Sequence, residues 1–126
     1  MVFGSGLRGL AARVGRRGPD GGNRCEFTRS LSWDHAACWH PAEAAAESDV
    51  IITMVLDTRA VESVVLGHGG IIEGARSGAI VVDHSTIEPA GARKVAATLQ
   101  SRGIEMLDAP VSGGAAVAEA GTLSIM

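Results

Sequence analysis

The sequence predicts an α/β domain of the doubly wound class, in which helices alternate with the strands of a parallel sheet. Two observations lead to this prediction. From residue 41 onward, short apolar runs rich in Val and Ile alternate with segments of helical periodicity. These strand–helix–strand units recur about every thirty residues, the spacing of right-handed crossover connections.

The first clear strand of this pattern is predicted at residues 50–55, a continuous β-branched run typical of a strand covered on both faces. Asp57 is the predicted N-cap of the helix that follows, which runs to about Leu66 and ends at Gly67. Residues 69–74 are expected to form a short connecting turn or helix.

The second strand is predicted at residues 79–83, again a buried apolar run that ends on Asp83. Ser85 and Glu88 have the spacing of a capping box, so a helix is expected to open here. It should end near Gly103, since glycine is common just after the last turn of a helix.

The third strand is predicted at residues 104–107, and residues 122–126 are expected to start a fourth. Ligands of parallel α/β sheets bind at the carboxyl ends of the strands. The segments Met54–Leu56, Asp83–Thr86 and Asp108–Ser112 follow three consecutive strands. We therefore expect them to line a single crevice.

The segment Leu10–His40 shows neither periodicity nor a strand signal, and it contains both cysteines of the protein. It is either a divergent stretch or an out-of-frame stretch of a GC-rich coding sequence, and the sequence does not separate the two. Cys25, His35, Cys38 and His40 lack the paired spacing of zinc ligands, so no metal site is predicted.

A chain of 126 residues with 46% hydrophobic residues is sufficient for one domain with a packed core. Its net charge of −3 does not favour binding to nucleic acid or to an anionic membrane. Two cysteines do not make a disulfide framework, which predicts a cytoplasmic protein. Residues 1–17, with four arginines and no acid, leave open an organelle transit peptide.

Gly4, Gly6 and Gly9 form a G-x-G-x-x-G motif at the start of the chain. Such glycines allow a tight turn and close approach of the backbone to a pyrophosphate, and a helix is expected to follow. We predict that these three residues bind NAD or NADP. Glu26 is placed to bind ribose hydroxyls and Arg29 to face a 2′-phosphate, so the choice between the two cofactors stays open.

The run Asp108–Gly114 and its continuation Gly121–Met126 predict a loop with a hydroxyl and approachable backbone N–H groups. This run, D-A-P-V-S-G-G-x-x-x-A-x-x-G-T-L-S-I-M, closely resembles the substrate loop of the β-hydroxyacid dehydrogenases. That family includes 3-hydroxyisobutyrate dehydrogenase and tartronate semialdehyde reductase, and it is related to 6-phosphogluconate dehydrogenase. The resemblance extends from about Pro41 to Met126.

The resemblance implies a Rossmann-like nucleotide-binding domain and cofactor contacts at two further turns. Thr53–Asp57 resembles the T-M-L-P-D turn with which the family lines the cofactor, which implies contacts from Val55 and Leu56. Asp83–Thr86 resembles the D-x-S-T turn beside the nicotinamide ribose, which implies a contact from Thr86. His84, the one histidine near the crevice, is interpreted as structural.

By the same resemblance, Ser112, Gly113 and Gly114 are expected to bind a small 3-hydroxy acid or its semialdehyde, and the chemistry is hydride transfer with NAD or NADP. The family's general acid/base is a lysine in a G-x-x-x-K-x-x-x-N helix, expected beyond Met126. The one lysine of the sequence, Lys94, lies inside a predicted helix, so no catalytic residue is assigned.

We therefore expect residues 1–126 to be the cofactor-binding part of such an oxidoreductase, an N-terminal fragment. The family's all-helical C-terminal domain makes its dimer, so a homodimer is expected only where that domain is present. The chain by itself is expected to bind cofactor without turnover. The alternative is a non-catalytic nucleotide-binding module or an inactive truncated gene product.

Overall fold

The computed structural model describes the backbone of residues 9–17, 23–29 and 36–38 and all of residues 40–126. Strands and helices alternate from β4 to β6, as the sequence predicts. The strands are β1 Gly9–Arg17, β2 Asn23–Arg29, β3 Ala36–Cys38, β4 Val50–Met54, β5 Ile80–Asp83, β6 Glu105–Asp108, β7 Val111–Ser112 and β8 Ser124–Ile125. The helices are α1 Pro41–Ala46, α2 Thr58–Leu66, α3 Ile71–Gly74, α4 Pro89–Gln100 and α5 Gly114–Glu119.

Within the described residues, the main sheet has six strands in the order β3-β2-β1-β4-β5-β6. Strands β1, β4, β5 and β6 pair in parallel, whereas β2 and β3 extend the β1 side with antiparallel pairing. The parallel α/β architecture is thus confirmed, and β4, β5 and β6 lie within a residue of their predicted positions. None of the helices in the described part of the chain is long and apolar enough to cross a bilayer.

One face of the parallel sheet carries the core. Ile51 of β4 and Val81 of β5 are register partners and both are fully buried. Helices α1 to α4 add their apolar side chains to the same cluster, which comprises Ala44, Ala45, Ile51, Val55, Val61, Val64, Val65, Ile71, Ala79, Val81, Val95, Leu99 and Ile104. Since a strand alternates its side chains, Thr53 and Asp83 extend this buried face toward the carboxyl end of the sheet.

The opposite face of the sheet is only partly covered, so its side chains are not buried as the sequence predicts. Met54 is 55% exposed, Ile80 40% and Leu107 56%, and these residues belong to three adjacent strands. Apolar runs in parallel strands predict burial on both sides. In the part of the chain that the structure describes, that prediction holds fully for one face only.

Helix α2 begins and ends where the sequence predicts. The Asp57 carboxylate accepts a hydrogen bond from the Ala60 N–H at 2.8 Å, and Gly67 is the C-cap residue. Helix α4 corrects its prediction, because it begins at Pro89 after an N-cap residue, Glu88, whose side chain makes no capping bond. The fixed φ of proline suits the first helical position, and the hydroxyl of Ser85 is bound elsewhere.

The amino-terminal part departs from the sequence prediction. Residues 9–17 form strand β1 where a helix was expected, and β2 and β3 lie in the segment that showed no strand signal. Pairing of β1 with β4 on one side and β2 on the other supplies hydrogen bonds that local pattern does not reveal. Gly4, Gly6 and His35 lie outside the described residues.

The strand near residue 126 is present but is not a fourth strand of the parallel sheet. Strand β8 pairs antiparallel with β7 in a separate two-stranded sheet. The chain reverses between them through the short helix α5, with Gly113, Gly114 and Gly121 at positive φ.

Two glycines allow close helix packing, and they differ in what a methyl group would meet. A Cβ on Gly74 would collide with the backbone carbonyl of Ala42 in α1, whereas one on Gly91 would meet the Thr58 methyl group. A backbone atom cannot yield as a side chain can. We expect Gly74→Ala to lower the free energy of unfolding by about 1–3 kcal/mol.

Gly91→Ala is the matched control, because alanine favours a helix over glycine by about 1 kcal/mol and this offsets the shift of Thr58. Urea denaturation followed by circular dichroism measures both variants. Equal losses of stability for Gly74→Ala and Gly91→Ala would contradict the assignment of a rigid contact between α1 and α3.

Candidate functional site at the carboxyl ends of three strands

The carboxyl ends of β4, β5 and β6 lie side by side. Thr53 pairs in register with Asp83, and Asp83 with Asp108, so the three strands end at the same level. The segments that follow, Met54–Leu56 and His84–Thr86 among them, therefore leave the sheet at one edge. The predicted convergence of the three strand ends is confirmed by this register.

Two polar side chains at this edge are buried and must find partners in the protein. Thr53 and Asp83 have no solvent exposure, because they continue the buried face of their strands. The Thr53 hydroxyl donates to Asp83 Oδ1 at 2.9 Å. Without this bond the buried Thr53 hydroxyl would lose its hydration uncompensated. The bond also ties the end of β4 to the end of β5.

Ser85 extends the tie to the backbone beyond β4. Its hydroxyl donates to Asp83 Oδ1 at 2.6 Å and accepts from the Val55 N–H at 2.9 Å. The Ser85 N–H also donates to Asp83 Oδ1, at 3.1 Å. We refer to Thr53, Val55, Asp83 and Ser85 as the Asp83 cluster; it fixes the positions of two turns relative to each other.

The bonds of the Asp83 carboxylate are unevenly divided between its oxygens. Oδ1 accepts three hydrogen bonds, while Oδ2 is buried and has no hydrogen-bond partner among the described residues. A buried acceptor without a partner costs free energy, and native proteins keep few of them. The shared use of Oδ1 thus concentrates the polar contacts of both turns on one atom.

Beside the cluster, three side chains that the sequence assigned to the cofactor differ in exposure. Leu56 is 89% exposed and Thr86 is also exposed, so both can contact a ligand at this edge. Val55 is only 9% exposed and its N–H is bound to Ser85. The structure therefore exposes Leu56 and Thr86 beside the strand ends, while Val55 is buried beneath them.

The predicted substrate loop follows β6 and is open to solvent. Ser112, Gly113 and Gly114 are all exposed. Gly113 has φ +138° and Gly114 has φ +69°, values that other residues rarely adopt. A Cβ on Gly113 would also come within 2.7 Å of a Val117 methyl group, so glycine is required there by packing as well.

Gly9 is not brought to this edge. It begins β1 and pairs with Val50, at the amino end of β4, whereas Val55 and Thr86 follow the carboxyl ends of their strands. At about 3.3 Å per residue, the five residue steps from Val50 to Val55 separate the two positions by roughly 17 Å. Gly4 and Gly6 lie outside the described residues, so their part in binding stays a prediction.

Lys94 also lies away from the strand ends. Its ammonium group is 2.8 Å from Glu62 Oε1, and this exposed ion pair joins the outer surfaces of α2 and α4. As the sequence predicts, it sits inside a helix. The Thr53–Asp83 bond was not predicted from the sequence, although a threonine and an aspartate at the ends of consecutive apolar strands are a usable signal.

Comparison with known proteins places this architecture in a family. The family model described as the NAD binding domain of 6-phosphogluconate dehydrogenase matches residues 24–126. The chain belongs to this family. The match includes β4, β5, β6 and the loop through Gly114, and it begins after the G-x-G-x-x-G motif.

The individual relatives agree with this assignment. A probable mitochondrial 3-hydroxyisobutyrate dehydrogenase of Dictyostelium discoideum is 49% identical over 86 residues, which are 68% of this chain and 27% of the relative. An NAD-dependent L-serine dehydrogenase of Pseudomonas aeruginosa is 44% identical over 84 residues, 67% of this chain and 28% of that protein.

A solved structure of Mycobacterium tuberculosis 3-hydroxyisobutyrate dehydrogenase with L-serine has a TM-score of 0.61 to this chain. It is 41% identical, and the similarity covers 68% of this chain and 28% of the solved chain. The chain therefore spans less than a third of the length of the relatives that it matches, and it shares their nucleotide-binding fold.

A substitution of Ser85 can distinguish its hydrogen bonds to Val55 and Asp83 from the helix-capping role that the sequence predicts. Ser85→Ala removes the acceptor of the buried Val55 N–H, and we expect it to lower the free energy of unfolding by about 1–3 kcal/mol. Amide hydrogen exchange at Val55 should become faster. The first-turn amides of α4 should exchange as in the wild type, because Ser85 does not cap that helix.

Faster exchange confined to the first turn of α4, with Val55 unchanged, would contradict the observed hydrogen bonds. Ser101→Ala is a suitable control, since Ser101 is exposed and its hydroxyl donates only to the Thr98 carbonyl. We expect that variant to leave the exchange of Val55 unaltered.

Proposed function

We propose that this chain provides the NAD(P)-binding and part of the substrate-binding surface of an oxidoreductase that acts on a small 3-hydroxy acid or its semialdehyde. The observation that supports the proposal most is the adjacency of three strand ends, which carry Leu56, Thr86 and the loop containing Ser112. Family membership supports the nucleotide-binding role. The relatives named 3-hydroxyisobutyrate and L-serine dehydrogenases support the substrate class.

The described residues fit one side of a dinucleotide. Leu56 offers an exposed apolar surface beside β4, and Thr86 offers an exposed hydroxyl beside β5. The Asp83 cluster holds the backbone beneath both of them. We propose that Leu56, Thr86 and the Val55 turn hold NAD or NADP, with Gly4 and Gly6 as further predicted contacts.

The fit of Gly9 is poorer, because it begins a strand at the other end of the sheet. We therefore leave it out of the proposed binding surface. This revision does not affect the turns after β4 and β5, which lie within the region that matches the family.

The substrate is proposed to bind at Ser112, Gly113 and Gly114. The serine hydroxyl can donate to a carboxylate or hydroxyl oxygen, and the two glycines allow their backbone N–H groups to approach the same oxygen atoms. A 3-hydroxy acid carries both kinds of oxygen within a few bonds. The role of these residues is to bind and orient the substrate.

When bound, the nicotinamide ring supplies or accepts the hydride of the reaction. The oxidation of an alcohol also requires a group that takes its proton, and such groups typically contribute 10²–10⁴-fold to the rate. Lys94 is paired with Glu62 on the helical surface and is not placed for this task. We accordingly expect no turnover from residues 1–126 tested by themselves.

We further propose a cytoplasmic protein without nucleic-acid or membrane partners, on the basis of its low cysteine content and negative net charge. A homodimer is proposed only for a polypeptide that also carries the helical domain of the family. A nucleotide-binding module without substrate would share the cofactor surface, so substrate binding distinguishes the two functions.

Cofactor binding can be measured by titrating the chain with NADH and with NADPH and following nicotinamide fluorescence. We expect weak binding, of about −4 to −6 kcal/mol, or millimolar to high micromolar affinity. Thr86→Val should weaken it several-fold, since one hydrogen bond is worth about 0.5–1.5 kcal/mol. Thr98→Val on α4 is the matched control and should leave the affinity unchanged.

An unchanged affinity in Thr86→Val, or an equal loss in Thr98→Val, would count against the proposed cofactor surface. If neither nucleotide binds the wild-type chain, the proposed function is wrong.

Substrate binding can be tested with 3-hydroxyisobutyrate in the presence of saturating NADH, by following the amide resonances of residues 112–114. Ser112→Ala leaves one polar group of the ligand without a partner, at a cost of about 1–3 kcal/mol. We expect its affinity to fall roughly tenfold to a hundredfold, while the NADH affinity changes little. Ser101→Ala should bind both ligands as the wild type does.

A Ser112→Ala variant that loses NADH binding but keeps its affinity for 3-hydroxyisobutyrate would show that the loop contacts the cofactor. A wild-type chain that binds NADH but none of the short 3-hydroxy acids would favour the nucleotide-binding module.

A further inference from the structure

His84 joins the turn after β5 to the start of the substrate loop. The residue is only 9% exposed, and ring atom Nδ1 lies 2.7 Å from the carbonyl oxygen of Ala109. A carbonyl oxygen can only accept a hydrogen bond, so Nδ1 carries a proton and donates it. This hydrogen bond holds the imidazole ring against the backbone carbonyl of Ala109.

The backbone N–H groups of His84 and Ala109 are also hydrogen-bonded, each to a carbonyl of the neighbouring strand. The Ala109 N–H donates to the Asp83 carbonyl at 2.8 Å, and the His84 N–H donates to the Thr53 carbonyl at 2.8 Å. These bonds continue the parallel pairing of β4, β5 and β6 by one residue. The bond from the His84 ring is different, because it depends on a side chain and fixes the direction of the Ala109 carbonyl.

The chain has little freedom between Ala109 and the exposed serine of the loop. Pro110 follows, and its ring fixes φ near −65°. The Pro110 carbonyl accepts from the Met126 N–H at 2.9 Å, and Ser112 then pairs with Ser124 in the β7–β8 ribbon. A change in the direction of the Ala109 carbonyl is therefore passed on to the loop rather than absorbed.

We propose that His84 is a positioning residue, whose ring N–H holds Ala109 and so sets the position of the substrate loop relative to the cofactor turn. The loop is residues 109–114 and the cofactor turn is residues 83–86. The roles of the loop and the turn rest on the proposed function, whereas the tether itself rests on the hydrogen bonds of His84. The position of the loop is a specificity determinant, because it sets the separation between Ser112 and Thr86.

The test compares His84→Asn with His84→Leu. The side-chain amide of asparagine can place an N–H at the position of Nδ1, two bonds from Cβ, while leucine has a similar length and no donor. Amide exchange at Ala109 and Met126 reports on the loop. We expect exchange at least tenfold faster in His84→Leu and close to wild type in His84→Asn.

A core variant separates this local effect from a general loss of stability. Val95→Ala removes volume from the buried face of α4 without touching the loop. It should accelerate exchange in α4 and in the loop together, whereas His84→Leu should raise the loop rate relative to α4. If His84→Leu does not fold, His84→Gln takes its place in the comparison. The amide nitrogen of glutamine lies three bonds from Cβ, one more than Nδ1 of histidine, so it does not reproduce the position of the donor.

Ligand affinities supply the second measurement. His84→Leu should weaken binding of 3-hydroxyisobutyrate about tenfold in the presence of NADH, with the NADH affinity within twofold of the wild type, and His84→Asn should restore the 3-hydroxyisobutyrate affinity. The proposal is overturned if the asparagine and leucine variants behave alike. It is also overturned if loop exchange changes and 3-hydroxyisobutyrate affinity does not.

An error in the proposed function can be told apart from an error in the role of His84. If the wild-type chain binds neither NADH nor 3-hydroxyisobutyrate, the function assigned to the crevice is wrong. The exchange contrast between the asparagine and leucine variants then decides by itself whether His84 holds the loop.

Discussion

The candidate site at the strand ends depends on one buried carboxylate, that of Asp83. The burial of one sheet face continues to the carboxyl ends of β4 and β5, so Thr53 and Asp83 reach the edge of the sheet without solvent. Polar groups in such a place must bind each other. Asp83 Oδ1 accepts bonds from Thr53 and from Ser85, and Ser85 in turn holds the backbone at Val55.

This arrangement separates the supporting groups from the binding groups. The side chains that hold the turns are buried, whereas the groups that we propose to bind ligands, Leu56, Thr86 and Ser112, are exposed one or a few residues later in the chain. Preorganised binding groups lose less entropy when a ligand arrives. The substrate loop relies on this rigidity most, because its glycines at 113 and 114 have none of their own.

Local chemistry was sufficient to predict the elements that depend on neighbours in sequence. Helix α2 could be predicted from Asp57 and Gly67, because capping is decided within four residues. Strands β4, β5 and β6 followed from their apolar runs. The same local argument failed at Ser85, whose spacing to Glu88 is that of a capping box. Its hydroxyl is instead taken by Asp83 and Val55, which the chain brings near only after the sheet has formed.

Periodicity, caps and glycines act over short distances, so they were sufficient to predict the parallel α/β class, the three adjacent strand ends and the loop of Ser112, Gly113 and Gly114. Contacts between distant segments were needed to place Gly9 at the start of a strand at the opposite end of the sheet, and to pair β8 with β7 outside it. The tertiary structure also decided that His84 binds Ala109, twenty-five residues away. Strand pairing and side-chain hydrogen bonds of that range depend on which segments meet in space, and no local pattern encodes them.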